Sequence, residues 1–141
     1  MTDRADHGVR DANFIALKAL PASAGSTNTS GLDLGLQTAR GARLGECELQ
    51  IDAPALNTTQ MPDSQTATYK LETAVDAAFT SAKTVADKVI VQTGAGGAGA
   101  AAAVARMKLA TDWQQYIRLT VTTSASAGDC SAVSMTLTLM F

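Results

Sequence analysis

The sequence predicts an all-β protein: an antiparallel β-sandwich, jelly-roll-like, with an extended N-terminal arm. Three observations carry that expectation. Short runs of alternating apolar and polar residues recur between residues 32 and 141, the period of half-buried antiparallel strands. Pro54, Pro62, the glycine-rich stretch 94–99 and the Ser/Ala/Gly stretch 124–129 interrupt the runs, as loops do between strands. The first 31 residues share neither that periodicity nor that composition. The expected plan is an arm over 1–31 and a sandwich domain over 32–141, and two packed antiparallel sheets are the economical way to bury such strands.

In the arm, Asp3, Arg4, Asp6, Arg10 and Asp11 mix charge signs before Phe14, Ile15, Leu17 and Leu20 make one short apolar patch. Pro21 ends the patch, and residues 22–31 are only Ala, Ser, Gly, Thr and Asn. Such a segment is either a disordered tail or an arm that orders on a partner. Fully extended, about 30 residues reach roughly 100 Å, against a radius of gyration of roughly 14 Å for a compact domain of this length. Beyond it, strands are expected over 32–36, 47–51, 67–71, 117–121 and 133–141, in each of which alternate positions are apolar. Two stretches depart from period two. Val75, Ala78, Phe79, Ala82, Val85, Ala86 and Val89 follow helical spacing, and 100–110 is rich in good helix formers. One or both are read as a short helix or an irregular crossover.

Composition limits the function classes. The chain of 141 residues carries a net charge of -2, so no basic field is present to hold nucleic acid or an anionic membrane. Charged residues make up 17% of the chain, below the roughly 25% of average soluble proteins, which suits a surface packed against neighbours. No apolar run approaches the ~18–20 residues that span a bilayer. The first seven residues have no apolar core behind them, so synthesis and folding are expected in a host cytoplasm. Cys47 and Cys130 lie far apart and have no metal-ligand spacing; two packed thiols are the expectation in a reducing compartment.

Signals of chemistry are weak. Gly94-Ala-Gly-Gly-Ala-Gly99 matches G-x-G-x-x-G, and Asp112 stands at a plausible distance for a ribose contact, but the alternating βα units of a dinucleotide fold are missing on both sides. A flexible surface loop is expected there. The single histidine, His7, lies in the arm, which leaves a Ser-His-Asp or Cys-His arrangement without an ordered member. Asn28-Thr-Ser30 and Asn57-Thr-Thr59 fit the glycosylation pattern only by chance in a chain without a secretion signal. Trp113 and Tyr116 either anchor a partner or plug the core. No enzyme activity, metal or cofactor is expected.

The order of several short pieces resembles the jelly-roll cement (decoration) proteins of tailed bacteriophages, from about residue 11 to residue 141. Those pieces are Asp11-Ala-Asn-Phe-Ile-Ala-Leu17, then Ser30-Gly-Leu-Asp-Leu-Gly35, then Leu44-Gly-Glu46 leading into the strand at 47–51. Tyr69-Lys-Leu-Glu-Thr-Ala-Val-Asp76 with Phe79 is similar to a strand followed by Asp-x-x-Phe, and Tyr116-Ile-Arg118-Leu resembles a Tyr-x-Arg-Leu strand. The alanine-rich 99–105 segment and the charged start at 1–10 depart from the pattern. The resemblance implies a strand end and a turn, not a helix, within 75–89. It implies a structural virion protein on the outer capsid surface that binds the major capsid protein and stabilises the shell against internal pressure. It also implies self-association, as dimer or trimer at symmetry axes, with no nucleic acid and no membrane as partners. Phe14, Ile15, Leu17, Leu20, Trp113 and Tyr116 are the candidate capsid or subunit contacts. A head-fibre base or host-surface binding module on the same fold is the alternative.

Overall fold

The computed structural model of the chain describes residues 14–35, 47–110 and 112–140. Its strands are β1 (Ile15–Ala19), β2 (Gly25–Asn28), β3 (Leu32–Asp33), β4 (Glu48–Ala53), β5 (Thr66–Ala74), β6 (Lys83–Thr93), β7 (Ala103–Lys108), β8 (Tyr116–Thr123) and β9 (Ser134–Met140). Sheet A runs β1-β9-β4-β7; sheet B runs β2-β8-β5-β6, with the short β3 also paired to β8. The pairings are nested. β1 pairs with β9, β2 and β3 with β8, β4 with β7, and β5 with β6, all antiparallel. This is one long hairpin folded back on itself, and the β4–β9 and β5–β8 pairings join its halves into two sheets. Such winding is a jelly roll.

Alternation explains the core between the sheets. Leu49 and Ile51 of β4 and Met135, Leu137 and Leu139 of β9 project inward from sheet A. Tyr69 and Leu71 of β5 and Ile117, Leu119 and Val121 of β8 meet them from sheet B. A fully buried side chain of this size contributes roughly 1.5–3 kcal/mol, and these positions form one continuous cluster. The Tyr69 hydroxyl donates to Gln92 Oε1 at 2.8 Å, while Gln92 Nε2 donates to the Pro54 and Ala101 carbonyls. One buried amide thus ties β5, β6 and two loops together. Burial, the dominant cause, pushes the Tyr69 phenol well above its usual range.

Three expectations need correction. The sequence boundary at residue 31 falls inside the sandwich, because β1 and β2 are paired strands of sheets A and B. β1 hides from pattern reading because it is an edge strand: only Ala16 is buried on its inward side, opposite Leu137, Lys18 opposite Met135 is exposed, and the larger Ile15 and Leu17 face outward. Residues 1–13, the rest of the expected arm, lie outside the described residues. The helical spacing over 75–89 is a turn at 75–82 followed by β6, as the resemblance implied. Register shifts opposite Tyr69/Leu71 and Leu71/Glu72 interrupt the alternation of β6, and Lys88 adopts a left-handed φ of 50°, the local geometry of a bulged strand. The alanine-rich 100–110 stretch contains β7, whose six residues pair with β4. Ala103, Ala105 and Met107 face inward there; pairing and burial override a weak helix propensity.

Cys47 and Cys130 are both buried thiols outside any disulfide. Burial first, and the neighbouring Asp129 second, push the Cys130 thiol upward, which keeps it protonated and unreactive.

Candidate interaction surfaces

The six residues expected at an interface do not converge. Leu20 (2% exposed) and Trp113 (6%) belong to the core, so for these two the core reading replaces the contact reading. Phe14 is half-buried and packs against that core. Ile15 and Leu17 stand on the outer side of β1, where Leu17 is 65% exposed. Tyr116, half-buried, lies on the outer side of the other sheet, opposite Ala74 and Asp33.

The outer face of sheet B assembles residues from three separate pieces of sequence. β5 and β8 pair so that Glu72 stands opposite Arg118 and Lys70 opposite Thr120. Glu72 accepts from Lys70 Nζ at 2.8 Å, Arg118 Nε at 2.8 Å and Thr120 Oγ1 at 3.0 Å. Burial by itself would raise the Glu72 carboxyl, but these three donors outweigh it and hold it below the usual carboxylate range. The Arg118 guanidinium lies 4.4 Å from the centre of the Phe79 ring, a cation–π distance. The turn at 75–82 delivers that ring. Phe79 N donates to the Asp76 carbonyl, and the Asp76 carboxylate accepts from the Thr80 amide and hydroxyl. Phe79 itself adopts a left-handed φ of 54°, a conformation that costs a bulky residue on the order of 1 kcal/mol. Gly31 makes the space, since a Cβ there would stand 2.6 Å from Phe79 Cε2. Pattern reading held Lys70, Glu72, Asp76, Phe79, Tyr116, Arg118 and Thr120 within two separate fragments, 69–79 and 116–121, with nothing to show that the fragments meet. Both Glu72 carboxylate oxygens accept from donors on β5 and β8; the group locks a turn onto a sheet.

The outer face of sheet A is different. β4 presents Glu48, Gln50 and Asp52, and β7 presents Lys108, Arg106 and Val104 directly opposite. Gln50 Nε2 donates to both Asp52 oxygens at 3.0 Å, and Gln50 Oε1 accepts from Arg106 Nε at 3.0 Å. Val104 at the β7 edge is 60% exposed, as Leu17 is at the β1 edge. Between them β9 contributes Thr136 and Thr138, of which Thr138 is fully buried.

The glycine-rich 94–99 stretch is the β6–β7 turn, and it leads into a strand, where a dinucleotide site needs a helix N-terminus. Nor is it a loose loop. Gly94 N donates to the Gln65 carbonyl, and Gly97 N donates to Asp63 Oδ1 at 2.9 Å. A Cβ at Gly94 would collide with the Met61 and Pro62 carbonyls, and one at Gly99 with the Leu56 carbonyl. At the same end, Cys130 N donates to the Pro21 carbonyl and Gly128 N to the Gln60 carbonyl. The loops there are laced into one rigid end.

Among the described residues, no group of three or more His, Cys, Asp or Glu is placed to hold a metal ion. Among them too, no helix is long and apolar enough to cross a membrane.

No protein family matches the chain, and no curated protein matches it in sequence. Solved structures do. A chain of the cowpea mosaic virus empty virus-like particle, determined by electron cryo-microscopy, matches with a TM-score of 0.50 and 7% identity, covering 100% of this chain and 83% of that one. A chain of the naturally occurring empty particles of the same virus, its top component, gives a TM-score of 0.44 at 8% identity over 91% of this chain and 80% of that one. At such identity the likeness is one of fold. The chain is an all-β jelly roll of the kind found in a virus-like particle.

Proposed function

We propose that the chain is a structural virion protein, a cement protein that packs on the outer surface of a capsid shell and ties neighbouring shell subunits against internal pressure. The observation that carries this reading is the jelly-roll winding, shared over the whole chain with a chain of an empty virus-like particle. The surfaces are consistent with it. The charged groups on sheet B are engaged with one another, the loops at one end are pinned, and sheet A leaves a flat face with apolar edges. A protein that works by many repeated modest contacts needs rigidity of this sort, because linked contacts on one shell raise each other's effective concentration. The expected partners are the major shell protein and other copies of this chain.

The test is the amount of this chain in purified virions relative to the major shell protein, with shells lacking it challenged by heat. A fixed ratio, and shells that rupture at lower temperature without the protein, are expected. A handful of copies per particle would point instead to a vertex fibre or host-binding module. The full coverage by a virus-like-particle chain favours one second reading, in which this chain is itself a shell subunit. Purified protein that closes into empty particles alone would establish that reading in place of the first.

A further inference from the structure

We infer that residues 75–88, the turn and the first half of β6, form a flap that opens as one unit on a hinge at Lys88 while the rest of the sandwich stays folded. The inference begins with how little holds the segment. Within it only Phe79 is buried; Asp76, Val85 and Ala86 are half-buried and the rest is exposed. Phe79 lies outside the continuous core between the sheets. Its ring sits on the outer face of sheet B, against Gly31 and beside Arg118, so it can leave without opening a void in that core. Among the described residues, the side-chain hydrogen bonds of the segment join Thr80 to Asp76, inside it, and the ion pairs are made by other residues.

Beyond Lys88 the hold changes. Ile90 and Gln92 are buried, Gln92 is bonded to Tyr69 and to the Pro54 and Ala101 carbonyls, and the pairing with β5 runs in unbroken register from Tyr69↔Ile90 to Thr66↔Thr93. On the near side, register shifts interrupt the remaining pairings of Leu71 with Ala86, Glu72 with Thr84 and Thr73 with Lys83. Strain marks both the plug and the hinge. Phe79 at φ 54° and Lys88 at φ 50° are left-handed, an unfavourable conformation for a residue with a side chain, kept only while the surroundings enforce it. The seat of the ring enforces it at Phe79, and the bulged pairing enforces it at Lys88. Opening relieves both, which offsets part of the burial lost. The latch is Arg118 beside the ring, and Glu72, accepting from Arg118 Nε at 2.8 Å, holds the guanidinium there. When the flap leaves, β5 from Leu71 to Thr73 loses its partner on that side, so the device bares and covers a strand edge. It is a property of the isolated chain and stands or falls apart from shell binding.

Hydrogen exchange of the purified full chain, followed by amide position over a range of sub-denaturing urea, tests it. The hydrogen-bonded amides within 75–88 are expected to share one opening free energy. That value should be smaller than the one for 117–121 of β8 and less dependent on urea, because less surface is exposed. Protection is expected to step up after residue 88. Phe79→Ala is expected to abolish protection over 83–88, in the strand, while 117–121 stays protected. E72Q, which frees Arg118 from its place beside the ring, is expected to raise exchange within 75–88 roughly two- to fivefold, the factor that a cation–π contact is worth. Circular dichroism checks that F79A folds; if it does not, F79L keeps an apolar plug, removes the stack and is expected to raise exchange over 83–88 by a similar factor. Exchange within 75–88 at the same opening free energy and urea dependence as 117–121 would overturn the inference. So would a gradient of values along the segment, the mark of simple fraying, or protection over 83–88 that ignores the change at residue 79.

Discussion

Glutamine at position 72 keeps the size and shape of the glutamate and removes its charge, so it isolates the electrostatic part of the lock on sheet B. The Glu72 side chain is 10% exposed and its two cationic partners 34% and 21%. Removing one member of a fully buried ion pair costs about 3–5 kcal/mol, whereas an exposed pair is worth about 0–1 kcal/mol. Lys70 and Arg118 both reach water, so the expected loss for Glu72→Gln lies between, about 2 kcal/mol at neutral pH. For a domain of this length that corresponds to a fall of roughly 7 °C in Tm. The pH dependence has a definite sign. A carboxyl whose folded value lies below its unfolded value stabilises the fold above the unfolded value, and that stabilisation is lost as pH falls through the depressed folded value. Urea unfolding of wild type and E72Q should therefore diverge at neutral pH and converge as the solution is acidified past the ordinary glutamate range. A gap that persists unchanged in acid would show that shape, not charge, matters at this position. No gap at neutral pH would show that the three donors contribute nothing net.

Three further outcomes are expected. Tyr69→Phe leaves Gln92 Oε1 without its buried donor and should cost about 1–3 kcal/mol in urea unfolding; in wild type, the Tyr69 phenol should ionise in an alkaline absorbance titration only as the protein unfolds. Gly99→Ala meets both a backbone carbonyl and a left-handed φ of 73° and should cost more than about 2 kcal/mol. Gly96→Ala, with the same handedness but open space, should cost only about 1 kcal/mol by thermal unfolding, and no dinucleotide should raise the Tm of the wild type. Deleting residues 1–22 removes β1 together with the buried Ala16 and Leu20, so the shortened chain should melt far below the full chain in calorimetry.

Much of the sandwich was legible because β4, β5, β8 and β9 are interior strands of their sheets, and one side of each had to be apolar. Edge strands gave less away. β1 buries only an alanine, β7 turns alanines inward, and bulges break the alternation of β6, so none of the three shows the period that betrays a half-buried strand. The surfaces were harder still. Glu72 and Arg118 lie 46 positions apart, and only the pairing of β5 with β8 brings them together; nothing in either run of residues marks them as partners. The six residues chosen as contacts were chosen for being apolar or aromatic. Leu20 and Trp113 show the weakness of that criterion, since the same property suits a core.

The nested winding also sets a clock. Ile15 pairs with Thr138 across 123 intervening peptide bonds, and β9 occupies an interior place in sheet A, between β1 and β4. At about 5–20 residues per second, the ribosome needs roughly 6–25 s to make the partner that the first strand is waiting for. Sheet A cannot close before β9 has been made. Until it does, β1 and β4 are unsatisfied edges on a nascent chain, and pairings of such sequence separation form slowly. The same topology that pairs the first strand with the last thus delays its closure, and leaves an interval in which chaperones or neighbouring chains compete for those edges.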